Sequence, residues 1–114
     1  MTSFSVGDVV EVPFPFVDVP VRKRRPALVL ALPEADGDTE VAILSMITSA
    51  RRSRWDSDVT LEDWRAAGLR APSLVRWKIF TLERSLVLNR RGSLSVSDLE
   101  RVSQQFRTLF REHL

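Results

Sequence analysis

Arg25-Pro26-Ala27-Leu28-Val29-Leu30-Ala31, followed downstream by Val41-Ala42-Ile43-Leu44-Ser45-Met46-Ile47-Thr48, decides the fold of this chain. Both are short, nearly continuous apolar runs, Ala27 to Ala31 and Val41 to Met46, the pattern of strands buried on both faces. Pro33 to Thr39 between them is acidic and carries Gly37, a hairpin-type connection. No helix-length crossover separates the runs, so they pair antiparallel. One strand begins with a guanidinium and its neighbour ends in a hydroxyl, a combination suited to handling a phosphate.

Upstream, Val9 to Val12 adds a third strand, which stops at Pro13 because proline cannot donate to a ladder. Phe14 to Arg24 is then a loop with Pro15, Pro20 and a basic end. Downstream, Thr60-Leu61-Glu62-Asp63 before Trp64 and Ala67, with Gly68 as terminator, predicts a short helix. Ser73 to Trp77 and Ile79 to Leu82 read as strands, with another near Leu86 to Leu88. Ser97-Asp98-Leu99-Glu100 reads as a capping box opening a C-terminal helix. There Leu99, Val102, Phe106, Leu109 and Phe110 fall on one face. Strands early and a helix at the end predict a mainly β, α+β domain over residues 1–114: a small curled antiparallel sheet carrying a short helix and a C-terminal helix.

The chain has 114 residues and 44% apolar content, sufficient for one self-contained core. No apolar stretch reaches the roughly 18 residues of a membrane span, and no signal peptide is expected at the N-terminus. With no cysteine, disulfides and thiolate metal sites are excluded, which fits a reducing, cytoplasmic setting. The formal charge is only +2, but it is unevenly spread. Basic residues crowd at 22–25, 51–54, Arg76, Lys78 and 90–91, while acidic ones gather at 34–40 and 56–63. Such segregation makes either a polyanion-binding face or merely solvated loops.

The only histidine is His113, next to the last residue, so a histidine general base or a histidine zinc site is not expected. The glycines stand far apart and form no phosphate loop. An acidic magnesium site stays open in principle, although the carboxylates at 34–40 and 56–63 read as loop and helix-cap residues; otherwise arginine, hydroxyls and carboxylates remain. RNA cleavage suits that set because RNA supplies its own nucleophile, the 2′-hydroxyl. A guanidinium's planar fork can stabilise the charge that develops on phosphorus oxygens. The products would be a 2′,3′-cyclic phosphate and a 5′-hydroxyl, with no metal or other cofactor.

The order and spacing of several segments resemble the MazF/PemK toxins. They are Gly7-Asp8-Val9-Val10 with Pro13-Phe14-Pro15-Phe16, Lys23 to Leu30, Met46-Ile47-Thr48-Ser49, Asp63 to Leu69, and Val75 to Leu82. That resemblance implies an SH3-like barrel, a homodimer, sequence-preferring cleavage of single-stranded mRNA, and inhibition by a cognate antitoxin. It also implies Arg25 and Thr48 as the catalytic pair, with Ser49 and Asp18 as helpers. Arg22, Lys23, Arg24, Arg51, Arg52, Arg54, Arg76 and Lys78 are candidate phosphate contacts, and Trp55 and Trp77 candidate stacking platforms. Trp64 is assigned to the core. Each site residue has a plainer alternative: a solvated arginine, a threonine at a strand end, a serine or aspartate satisfying local backbone. Val17 and Ala50 depart from the family pattern and bear on RNA recognition. A CcdB-like gyrase poison is the less favoured alternative, because the chain ends Arg111-Glu112-His113-Leu114 rather than Trp-Gly-Ile. A non-catalytic nucleic-acid-binding module is another.

Overall fold

The computed structural model describes residues 3–14, 23–33, 40–51 and 54–113. Its strands are β1 (Asp8–Phe14), β2 (Lys23–Ala31), β3 (Val41–Ser49), β4 (Val59–Thr60), β5 (Ser73–Glu83) and β6 (Asn89–Ser93), followed by helix α1 (Val96–His113). They form one sheet in the order β4-β5-β3-β2-β1-β6. Every pairing is antiparallel, so the molecule is a mainly β half-barrel with a C-terminal helix, as expected.

Alternation along the strands divides the core in two. Val9, Leu28, Ile47 and Val75 point to the side covered by α1, where Val102 meets them. Val10, Val12, Ala27, Val29, Ala42, Leu44 and Leu82 point to the opposite side. Both faces of the central strands are therefore buried, which is why β2 and β3 lack apolar–polar alternation.

Strand limits differ from the sequence reading at prolines and polar runs. β1 continues through Pro13 because β6 pairs β1 only as far as Glu11↔Asn89, leaving Pro13 with β2 alone. Pro26 likewise pairs only with Glu11, since the β2–β3 ladder begins at Ala27↔Met46. The segments read as two strands around Lys78 are one, β5, whose register against β3 shifts between Ser45 and Ile47. Leu86 to Leu88 is not a strand: Arg84–Leu86 is a 3-10 turn, and the ladder resumes at polar Asn89–Ser93.

The short helix expected from Thr60 to Gly68 is also absent. Thr60 belongs to β4, and the Leu61 N–H continues that pairing by donating to the Ser73 carbonyl (3.0 Å). What remains, Asp63 to Leu69, makes one helical-type turn, closed by Leu69 N–H to the Trp64 carbonyl (3.1 Å). Too short to offset the cost of helix nucleation, it stops at Gly68 (φ +77°). This turn packs on the β6 edge of the sheet: a Cβ at Gly92 would lie 2.7 Å from the Ala67 carbonyl carbon. Ser97 does not cap α1 either. Ser95 does, its Oγ accepting from the Asp98 N–H (3.1 Å).

Three carboxylates tie these parts together. Asp8 accepts from Ser93 Oγ, Arg90 Nε and the Ser5 N–H. Asp58 accepts from Arg76 and the Trp55 N–H, and Asp98 from the Glu62 and Asp63 N–H groups. Burial alone would raise each carboxyl, but these donors outweigh it and hold all three below the usual range. Depressed native values favour folding above the ordinary carboxylate pKa of about 3.9, and that contribution disappears as pH falls through the native values. Thermal melts from pH 7 to pH 2 should therefore show a midpoint nearly flat above about pH 5 and dropping steeply below about pH 4. A midpoint that held steady down to pH 2 would contradict this account.

Candidate nucleic-acid interface

The β2–β3 ladder pairs Ala27↔Met46, Leu28↔Ser45 and Val29↔Leu44. That ladder begins at Ala27↔Met46; extended by two residues, its register would bring Arg25 across from Thr48, and Arg25 lies on the sheet face opposite α1. Val12, fully buried, lies beside Arg25 on β1. Arg25 itself is exposed, with its guanidinium 5.9 Å from the centroid of the Phe14 ring. Thr48 is half-buried and pairs with Leu74 of β5. Alternation from Leu74 sends Arg76 and Lys78 to the same face. This face thus carries Arg25 and Thr48 and, two and four residues along β5 from the fully buried Leu74, Arg76 and Lys78.

The remaining candidates separate clearly. Lys23 and Arg24 are exposed on β2, and Arg24 Nη1 stands 3.5 Å from Glu11 Oε2. Arg51 and Arg54 are exposed after β3. Ser49 Oγ accepts the Arg51 N–H (3.3 Å), so this hydroxyl serves local backbone. Arg76 is 7% exposed and closes on Asp58 through Nε (3.1 Å) and Nη2 (2.8 Å). Its guanidinium is thus engaged by a carboxylate, a structural role that the expectation of a phosphate contact did not include. Trp77, the other expected stacking platform, is half-buried: its Nε1 donates to the Ser57 carbonyl (2.7 Å), and its ring packs toward Phe106 of α1. Trp64 is half-buried against the α1-side core, as expected. Trp55 is 42% exposed, with Arg76 Cζ 4.8 Å and Lys78 Nζ 5.5 Å from its ring centroid. Asp18, Arg22 and Arg52 lie outside the described residues.

Sequence reasoning misses two residues of the site. Phe14, under Arg25, falls in a loop if Pro13 ends the strand. Asp58 reads as one of a group of solvated acids. The spacing Trp55 to Asp58 does carry a signal, since an aspartate commonly accepts a nearby backbone N–H in a turn. Its bond to Arg76, however, depends on β4 pairing with β5. Among the described residues no group of three histidine, aspartate or glutamate side chains is placed to hold a metal ion. Nor, among those residues, is any helix long and apolar enough to cross a membrane.

Comparison with known proteins adds three findings. The family described as PemK-like, MazF-like toxin of type II toxin-antitoxin system matches residues 5–110. No curated protein sequence matches at a significant level. Among solved structures, a Mycobacterium tuberculosis toxin, MazF-mt6, superposes with a TM-score of 0.67 at 18% identity, over 91% of this chain and 96% of that one.

Proposed function

Since the chain belongs to the PemK-like, MazF-like toxins of type II toxin-antitoxin systems, we propose that it is a metal-independent, sequence-preferring endoribonuclease acting on single-stranded mRNA. The observation that supports this most is the β2–β3 register: extended two residues beyond its last pair, Ala27↔Met46, it would bring the exposed Arg25 across from Thr48. In this reading the 2′-oxygen of RNA attacks the adjacent phosphorus, and the bond from phosphorus to the 5′-oxygen breaks. The 2′ proton leaves to solvent and the departing 5′-oxygen gains one. Arg25 stabilises the equatorial oxygens with paired N–H donors, and the Thr48 hydroxyl orients the scissile phosphate. Lys23, Arg24, Arg51, Arg54 and Lys78 guide the strand through phosphate contacts, which position it without reading its sequence.

The reading includes a cognate antitoxin, cytoplasmic action and a homodimer. Support for the dimer comes from α1. Of its apolar face, Val102 is fully buried, while Phe106 and Phe110 remain 39% and 36% exposed. With Val6, Leu30, Ile43 and Ile79 they line an apolar groove of about 540 Å³, a surface that a second copy of the chain would cover. Phe106→Glu with Phe110→Glu should convert the protein to monomers in sedimentation experiments while leaving it folded. A wild-type protein that is monomeric at micromolar concentration would remove the dimer from this reading.

The defining experiment incubates the protein with mixed-sequence single-stranded RNA in EDTA, alongside Arg25→Ala. Fragments ending in 2′,3′-cyclic phosphate, lost in the variant, are the expected result. RNA left intact by folded wild-type protein would refute the reading.

A further inference from the structure

The chain has three tryptophans, and the fold treats them differently. Trp77 hydrogen-bonds Ser57 and packs toward α1, and Trp64 packs on the α1-side core beneath the Arg65 guanidinium. Trp55 instead remains 42% exposed on a turn that is firmly held. The Trp55 N–H donates to Asp58 Oδ2 (2.7 Å), and the Asp58 N–H donates back to the Trp55 carbonyl (3.0 Å). From the other side, Trp77 Nε1 and Gln105 Nε2 both donate to the Ser57 carbonyl. Beside the ring, Arg76 is fixed by its fork to Asp58. An exposed indole on an immobilised turn has already lost the backbone freedom that binding would otherwise cost.

We propose that Trp55 is a base-stacking platform of the RNA site, with Asp58 and Arg76 as positioning residues that hold its ring beside Lys78 of β5. The inference rests on the endoribonuclease reading above. Arg76 lies two positions along β5 from Leu74, the partner of Thr48. Two strand residues span about 6.6 Å along β5, and the ring stands beyond them at the Arg76 guanidinium, which in this reading seats it a few nucleotides from the scissile phosphate. A single strand whose phosphate sits at Arg25 and Thr48 would therefore present a nearby unpaired base to Trp55. Every base has a π face, so stacking adds affinity with only modest sequence preference. Lys78, 5.5 Å from the ring centroid, supplies a cation for the phosphate of that nucleotide.

The test compares wild type with Trp55→Phe, Trp55→Leu and Trp55→Ala. Binding is measured on a fluorescein-labelled single strand that is 2′-O-methylated throughout and so lacks the nucleophile. Cleavage is measured on the matching RNA in EDTA. Stacking predicts roughly ten- to a hundredfold weaker binding for Trp55→Ala, with phenylalanine restoring most of it. In cleavage the loss should enter KM more than kcat. Asp58→Asn should weaken binding in the same direction while Trp55 is still present. Leucine matching phenylalanine would overturn the proposal, because bulk rather than a π face would then suffice. Cleavage by Trp55→Ala with wild-type KM and cut sites would overturn it too, while leaving the endoribonuclease reading intact. Should wild type neither bind nor cut, the two fall together.

Discussion

Arg25→Ala is expected to reduce RNA cleavage by at least about 10²–10³-fold while leaving the fold untouched. Loss of one preorganised donor to a developing oxyanion typically costs about 3–4 kcal/mol, and the guanidinium offers two in a fixed plane. Little stability is at stake, because Arg25 is exposed and its neighbouring ring among the described residues is Phe14, at 5.9 Å. Melting temperature should therefore stay within about 2 °C of wild type, as for most surface changes. Arg25→Lys keeps the charge but loses the fork, and should recover less than about tenfold of the lost rate. Single-turnover cleavage in EDTA, read as cyclic-phosphate ends, decides the matter. Wild-type rates in Arg25→Ala would move the chemistry to another residue.

The second large effect concerns stability. Asp98 is fully buried and joins three elements. Its Oδ1 and Oδ2 accept the Glu62 and Asp63 N–H groups (3.1 and 2.9 Å), and Arg101 Nη2 also donates to it. Arg101 in turn reaches the Thr60 carbonyl of β4 (2.7 Å), so the start of α1 is tied to the sheet edge. Asp98→Ala strands two backbone donors and removes a negative charge from the first turn of α1. At roughly 1–3 kcal/mol for each stranded group, the expected loss is about 3–5 kcal/mol. For a chain of this size that lowers the melting temperature by more than about 10 °C. Asp98→Asn should fall between wild type and the alanine variant, since an amide offers one acceptor oxygen where two are needed. Denaturant unfolding that shows a loss under about 1 kcal/mol for alanine would mean the turn is satisfied in some other way.

Asp98 also marks how far the sequence can be read. A capping signal is visible at the start of α1, but the side chain that belongs to this local pattern reaches from residue 98 to residues 62 and 63. The turn at Asp63 to Leu69 takes its cap from a different element, so no local motif announces it. β6 is invisible for a related reason: Asn89-Arg90-Arg91-Gly92-Ser93 has no apolar alternation, and its place is set by pairing with β1. Arg25 and Thr48 stand out because the family pattern marks them, at the ends of two strands that pair as far as Ala27↔Met46. Sequence carries no sign of whether an arginine is open to a ligand. Arg76 and Arg25 look alike along the chain, yet one is closed on Asp58 and the other is exposed.

Local quantities were enough for the mainly β architecture, the C-terminal helix and the exclusion of thiolate chemistry, and resemblance to the family nominated the pair of positions on which the proposed function rests. Apolar periodicity, residue inventory and motifs of fixed order are all properties of neighbouring residues, and they survive without knowledge of the fold. Which basic and aromatic residues face outward is of another kind, because it depends on contacts between residues far apart in the chain. Asp58 reaches Arg76 only once β4 lies beside β5, and Trp77 turns inward only when α1 covers its face of the sheet. Trp55 stays outside because the carboxylate that fixes its turn also fixes the arginine beside its ring.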